Sequence, residues 1–237
     1  HFLGFEGDLA ASAEISIQLG AILAVIAYER HKLASMIGQA AQEQRDISAM
    51  VRARGTTSWS NILIASWATH KNLWFLIGLG LAFLPAAVIG FLTHSWIKGH
   101  LFTPQTVAAS SIIGGFIILA VEARRDQARI HQLEHVSLPS AFWIGIAQCA
   151  SLLPGMSRSG STIIGGLILG LKRKTIVEFS FLLAVPTMLA ATVYDLMKSA
   201  PEISLAQVDF LIAGFVTAFI VALLSIKFLL RFIQTHT

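Results

Sequence analysis

The sequence predicts an all-α, polytopic membrane protein, and three observations carry that prediction. Of 237 residues, 55% are hydrophobic and 13% charged, against about 25% charged in an ordinary soluble domain, and mean hydropathy is +0.70. The charges are clustered, so they leave long uncharged runs: Asn72–Leu92 (21 residues), Phe102–Val121 (20), Val136–Ser157 (22), Phe179–Tyr194 (16) and Phe210–Ile226 (17). A spanning helix needs roughly 17–25 mainly apolar residues. Finally, Lys and Arg alternate in density between successive runs, as membrane orientation requires.

Taken in order, Ile15–Tyr28 is 14 uncharged residues, a crossing that its polar flanks must complete. Residues 29–71 hold Arg30, Lys32, Arg45, Arg52, Arg54 and Lys71 and read as a long cytoplasmic loop. After Asn72–Leu92 comes a base-poor external segment with Lys98 alone; after Phe102–Val121 comes a cytoplasmic charge run of Glu122, Arg124, Arg125, Asp126 and Arg129. The next basic cluster, Lys172-Arg173-Lys174, also reads as cytoplasmic, so the apolar stretch between must enter and leave on one side. Pro154-Gly155 interrupts that stretch. A re-entrant helical hairpin over 140–171, with its tip at Pro154–Gly160, follows, because irregular backbone at membrane depth is tolerated only where protein or water covers it. Phe179–Tyr194 and Phe210–Ile226 complete the spans.

The chain also resembles itself. Glu14-Ile-Ser16-Ile-Gln-Leu19 matches Glu178-Phe-Ser180-Phe-Leu-Leu183 at Glu, Ser and Leu, and Gly78-x-x-x-Ala82-Phe83-x-x-Ala86 matches Gly214-x-x-x-Ala218-Phe219-x-x-Ala222 at four positions. The copies run in opposite directions under the orientation rule, which is the mark of an inverted-topology repeat with its site at the midplane. One membrane domain over 1–237 is expected, with a first half 1–135 and a second half 136–237. The second half carries its hairpin about 20 residues before Glu178, and the matching hairpin of the first half would precede Glu14. With His1 in place of a starting Met and an apolar segment just before Thr237, the chain is expected to be a fragment cut at both ends.

Several classes drop out. The lone Cys149 excludes an internal disulfide framework and any multi-cysteine metal site, and it reads as a small buried residue. The pI of about 9.5 comes from bases flanking apolar runs, a pattern of membrane insertion and not of nucleic-acid binding. His31, His70, His94, His100, His131 and His135 lack metal-ligand spacing and read as surface loop residues. Pro85 and Pro186 read as helix kinks.

Chemistry concentrates in Gln148-Cys-Ala-Ser-Leu-Leu-Pro154-Gly155-Met156-Ser157-Arg158-Ser159-Gly160-Ser161-Thr162. Pro and Gly end one half-helix and a second begins near Ser157–Ser159. A helix start presents free N–H groups and a positive dipole end, an anion site. Ser157, Ser159, Ser161 and Thr162 add short hydroxyls, Gly155 and Gly160 let backbone approach, and Arg158 adds a planar fork suited to phosphate oxygens. Small residues also serve helix packing in membranes; Arg158, with no acid within nineteen positions, is what packing does not explain. Gln148, in the hairpin, is a further pocket candidate. Glu178 is another, although a carboxylate at the start of a predicted helix also suits the dipole.

Pro154-Gly-Met-Ser-Arg-Ser-Gly-Ser-Thr162 resembles the Pro-Gly-x-Ser-Arg-Ser-x-x-Thr signature of the undecaprenyl-diphosphate phosphatase (bacitracin-resistance) family. The resemblance continues in Glu178-Phe-Ser-Phe-Leu-Leu-Ala-Val-Pro186, Leu3-Gly-Phe-Glu-Gly-Asp8 and Gln18-Leu-Gly-Ala-Ile-Leu-Ala24, and is weakest over 29–71. It implies hydrolysis of undecaprenyl diphosphate to the monophosphate carrier for peptidoglycan synthesis, with bacitracin resistance. It also implies a divalent cation (magnesium or calcium), a multi-pass place in the bacterial cytoplasmic membrane and a site open to the external face. The roles it implies are Arg158 as diphosphate clamp, with Ser157 and Thr162 as hydroxyl partners. The isoprenoid diphosphate and membrane lipids are the implied partners, nucleic acid is not one, and a homodimer is compatible. The family's glutamate pair followed by Pro-Val-Ser-Ser-Thr-Gly-His, the expected source of metal ligand and acid/base, is absent here and expected upstream of His1; His1 takes no role. The rival reading is a secondary transporter or binding protein in which Arg158 holds an anion without cleaving it.

Overall fold

The computed structural model describes residues 8–53, 58–123, 128–199 and 208–235. Arg54, Arg124, Arg125, Asp126, His1 and the Leu3–Gly7 part of the resemblance lie outside them. Among these described residues eight α-helices follow in order: α1 Asp8–Arg52, α2 Trp59–Thr69, α3 Lys71–His100, α4 Pro104–Glu122, α5 Leu138–Gln148, α6 Arg158–Ile168, α7 Arg173–Ser199 and α8 Val208–Thr235. The protein is an all-α, polytopic membrane helix bundle. Among the described residues four helical segments are long and apolar enough to cross a membrane: Lys71–His100, Pro104–Glu122, Arg173–Tyr194 and Asp209–Phe232.

The largest departure from the sequence reading lies in 29–71. Instead of a loop, α1 continues unbroken to Arg52 and α2 fills most of the rest. Charges mark where a chain leaves lipid, but they do not end a helix: Arg30–Arg52 is rich in Ala, Gln, Glu, Met and Arg, all good helix formers. Met36 and Ala40 keep an i, i+4 buried pair on that stretch. Glu43 explains how the next helix is anchored. Its carboxylate accepts from the Asn72 N–H (3.3 Å), the Leu73 N–H (2.6 Å) and Asn72 Nδ2 (3.1 Å), satisfying donors that the start of α3 leaves open.

The histidines need a second correction. His31 lies within α1, and His94 and His100 lie within α3, not in loops. His70 is buried between α2 and α3, its Nδ1 2.7 Å from Thr69 Oγ1, because a two-helix corner one residue long leaves its side chain no way out. Pro85 and Pro186 sit inside unbroken helices.

The chain forms two compact units, one of residues 1–31 and 184–237 and one of residues 32–183. In the second, α3 and α5 cross at very short range. A Cβ on Gly145 would overlap the Ala82 carbonyl oxygen and lie 2.8 Å from the Ala82 Cα, and one on Gly78 would touch Ala141 at 3.4 Å. Small residues do the work of close approach, as lipid offers no hydrophobic drive between helices. Around that crossing lies an apolar core including Phe75, Leu79, Ile144, Ile176, Phe179 and Leu183, with Phe75 and Phe179 edge to face at 5.9 Å. In the first unit α1 meets α8 in the same manner: Gly20 lies against the Phe215 carbonyl and the Phe219 N–H, and Ser16 Oγ donates to the Leu211 carbonyl at 2.6 Å. The large apolar side chains of α4 face outward (Phe116 is 68% exposed, Leu119 64%), as a helix against lipid does.

Helices α5 and α6 pack against one another as a helical hairpin, joined by a 3-10 turn at Cys149–Leu152 and a tip at 153–157. Ser137 caps α5, accepting from the Ser140 N–H at 3.3 Å. At the other end Gly170, with φ +83°, turns the chain out of α6, and the Lys172 N–H reaches the Ile130 carbonyl at 2.8 Å.

Candidate functional site

The tip of the hairpin is built by a helix start. Ser157 is the N-cap of α6, with extended backbone (φ −70°, ψ 123°), and its Oγ accepts from the Gly160 N–H at 3.1 Å. That bond uses one of the donors a helix leaves open at its start. The Arg158 and Ser159 N–H groups have no backbone acceptor among the described residues, so the two nearest the tip remain for a ligand.

Helical periodicity then sorts the hydroxyls into two sets. Ser157 and Ser159 are exposed, with their Oγ atoms 3.3 Å apart. Ser161, Thr162, Gly165 and Gly166 form a buried i, i+1, i+4, i+5 stripe, and a Cβ at Gly165 would lie 2.5 Å from the Ala147 Cβ of α5. Ser161 Oγ bonds back to the Ser157 carbonyl at 2.9 Å. Thr162 Oγ1 lies 2.9 Å from the Arg158 carbonyl and 3.3 Å from Gln148 Oε1, with Thr162 and Gln148 each 1% exposed. Thr162 and Gln148 therefore join the two limbs of the hairpin behind the tip and do not open onto its surface.

Arg158 stands between these sets. It is half-buried, and among the described residues its guanidinium makes no hydrogen bond or ion pair. An uncompensated arginine in an apolar bundle is costly, and the cost is removed by an anion with paired oxygens. Among the described residues the site thus gathers a free cation, two free N–H groups and two exposed hydroxyls, and no carboxylate.

The whole chain, residues 1–237, matches the family model described as "Bacitracin resistance protein BacA". The chain belongs to that family. Among its relatives is the "Undecaprenyl-diphosphatase" of Caldanaerobacter subterraneus subsp. tengcongensis, 41% identical over 236 residues, covering 99% of this chain and 78% of the relative. That of Polaromonas sp. (strain JS666) is 40% identical over 239 residues, 99% of this chain and 77% of the relative. The "Undecaprenyl-diphosphatase 1" of Chromobacterium violaceum is 42% identical over 224 residues, 94% of this chain and 73% of the relative.

Within this BacA-family chain, the structure brings together Gly155, Ser157, Arg158, Ser159, Gly160, Ser161, Thr162 and Gln148. Glu178 is elsewhere. Its Oε2 pairs with Lys32 Nζ at 2.8 Å, and it lines a cavity of about 470 Å³ with Lys32, His131, Lys172, Lys174 and Thr175. That cavity lies where α6 gives way to α7, about 15 Å of helix from the tip for the 11 residues of α6. Sequence reasoning missed Ser110 and Ser111 of α4. Ser110 Oγ donates to the Pro154 carbonyl and Ser111 Oγ to the Gly155 carbonyl at 3.0 Å. The only trace of them in the sequence is a polar pair inside an apolar run.

Proposed function

We propose that this chain hydrolyses undecaprenyl diphosphate to undecaprenyl phosphate and inorganic phosphate, recycling the lipid carrier for peptidoglycan synthesis and conferring bacitracin resistance. The observation that carries the reading is the match of the family model to residues 1–237, with relatives named for that activity at 41% and 40% identity. The catalytic set proposed is Arg158, Ser157 and Thr162, with Gly155, Ser159, Gly160, Ser161 and Gln148 shaping the phosphate cradle. Glu178 stands as a substrate-binding candidate on the resemblance alone, since its carboxylate is engaged by Lys32.

The chemistry follows from charge. Phosphoryl transfer spreads negative charge over equatorial oxygens, and catalysis is mainly positioning and neutralisation of that charge. Arg158 forks onto the terminal phosphate while the Arg158 and Ser159 N–H groups face the same oxygens. Ser157 Oγ has as described neighbours only the Gly160 N–H and Ser159 Oγ. Among the described residues no base lies beside it, and orienting the cradle is the role that this geometry supports for Ser157. Thr162 holds Arg158's turn of helix against Gln148. The hydroxyls, amides and guanidinium of the tip suit an anion and do not fit a divalent ion. Magnesium or calcium, if the reaction requires it, would be held by other residues, and activity that persists in a chelator removes that requirement.

The fold reading proposed around this site is an inverted-topology repeat, first half 1–135 and second half 136–237, in a multi-pass protein of the bacterial cytoplasmic membrane. The hairpin is re-entrant and opens externally. Two contacts support the repeat. Ser16 and Leu211 are bonded in one unit; by the sequence offsets their counterparts are Ser180 and Phe75, and in the other unit Phe75 meets Phe179, the neighbour of Ser180, edge to face. The proposed partners are the isoprenoid diphosphate, membrane lipids and a second copy of the chain.

The test is phosphate release from isoprenyl diphosphate by the purified protein, with and without Arg158→Ala. Release that survives the substitution unchanged sinks the site, and anion uptake into vesicles without hydrolysis favours a transporter. For orientation, Met50→Cys in a Cys149→Ser background is expected to react with impermeant thiol reagents from the cytoplasmic side only; external labelling reverses the topology.

A further inference from the structure

The tip that presents Arg158 cannot hold its shape alone. Residues 153–157 lie between a 3-10 turn and α6, and the described backbone bonds at the tip are Leu153 N–H to Ala150 (3.2 Å) and Met156 N–H to Leu153 (3.1 Å). The carbonyls of Pro154 and Gly155 find their partners on α4 instead, in the hydroxyls of Ser110 and Ser111. Irregular backbone at membrane depth needs such partners.

Several further contacts make α4 a template for the tip. Gly155 has φ +93°, a conformation that side chains disfavour. A Cβ there would overlap the Val107 carbonyl oxygen and lie 2.5 Å from Ser110 Oγ and 2.9 Å from Ser111 Oγ. One turn on, Gly114 receives Met156, whose Sδ would lie 2.8 Å from an added Cβ; one further turn on, Ile118 Cδ1 lies 3.4 Å from a Cβ placed on Gly160. Val107, Ser110, Ser111, Gly114 and Ile118 recur at i, i+3, i+4, i+7 and i+11, a single face of α4. Ser110 has only one proton to donate, and the Thr106 carbonyl (2.7 Å) within its own helix competes for it. Its bond to Pro154 can therefore be exchanged for one inside α4.

We propose that Ser110 and Ser111 are positioning residues for the phosphate cradle: by holding the Pro154 and Gly155 carbonyls they fix the turn that aims Arg158 and the α6 N–H groups at the diphosphate. The inference rests on the assignment of Arg158 to that diphosphate.

The experiment is a double-mutant cycle on the full chain in detergent, with isoprenyl diphosphate as substrate. Ser110→Ala/Ser111→Ala is expected to lower kcat about tenfold while KM moves within about twofold, since a small misplacement at the reacting group costs turnover and not tail binding. Ser111→Ala alone should lose less, and Ser110→Thr/Ser111→Thr should recover most of the loss. On an Arg158→Lys background, which keeps a cation but not the fork, the alanine pair should cost little more, because residues acting through one another are not additive. Wild-type turnover in the alanine pair, or the same tenfold fall on both backgrounds, overturns the inference. Failure of the underlying site reading looks different: Arg158→Lys would then itself turn over like wild type.

Discussion

The two ends of the α5–α6 hairpin treat their polar groups differently. Where α6 gives way to α7, two pairs of opposite charge meet: Lys32 with Glu178 at 2.8 Å, and Arg173 with Glu122 at 3.3 Å. At the tip, Arg158 has hydroxyls and free N–H groups around it and, among the described residues, no carboxylate paired with it. A matched pair near a membrane surface adds little to stability, whereas an unmatched arginine among apolar helices is a standing cost. The contrast separates Glu178, whose carboxylate is already engaged by Lys32, from Arg158, whose guanidinium the described residues leave open for an anion.

That comparison can be broken at either end. Arg158→Ala should cause the largest effect, a fall in turnover of about 10²–10³-fold, the scale expected when a group neutralising transition-state charge is lost; phosphate release under saturating substrate measures it. Gly155→Ala comes next. Its positive φ and the α4 atoms around its missing Cβ predict a loss of about tenfold or more with a lowered unfolding temperature. Thr162→Val keeps the shape but takes the hydroxyl from Gln148 and should cost about 1–2 kcal/mol, read as detergent unfolding, with activity down several-fold. Glu178→Gln is expected to be the mildest, about 1 kcal/mol or less for its partly exposed ion pair, with turnover near wild type. A hundredfold loss there would collapse the distinction between the two ends and bring Glu178 into the site.

Much of the site was legible because its chemistry is local. The helix break at Pro154-Gly155, the cap at Ser157 and the arginine beside it are contiguous, and nearest-neighbour physics fixes their relation. The division of the hydroxyls was less visible. Ser157 and Ser159 are exposed while Ser161 and Thr162 are buried, and only the face that α6 turns toward α5 decides which is which. Residues 29–71 misled for another reason: their charges were informative about lipid and silent about helix length, and α1 ran on through them to Arg52. His70 was misplaced similarly, since a histidine between two helices is buried or exposed according to how tightly they turn.

By itself the sequence determined the membrane class, the break at Pro154-Gly155, a helix start near Ser157–Ser159 and the presence of an arginine with no acid within nineteen positions. These rest on hydropathy, on backbone chemistry and on local spacing. Only the tertiary structure decided that Gln148 and Thr162 lock the hairpin from behind, that Glu178 is spent on Lys32, and that Ser110 and Ser111, 44 residues away from the carbonyls they hold, shape the tip. Each of those depends on which helix faces lie against one another. Between apolar helices in lipid that choice is made by close packing of small residues, which local sequence does not specify.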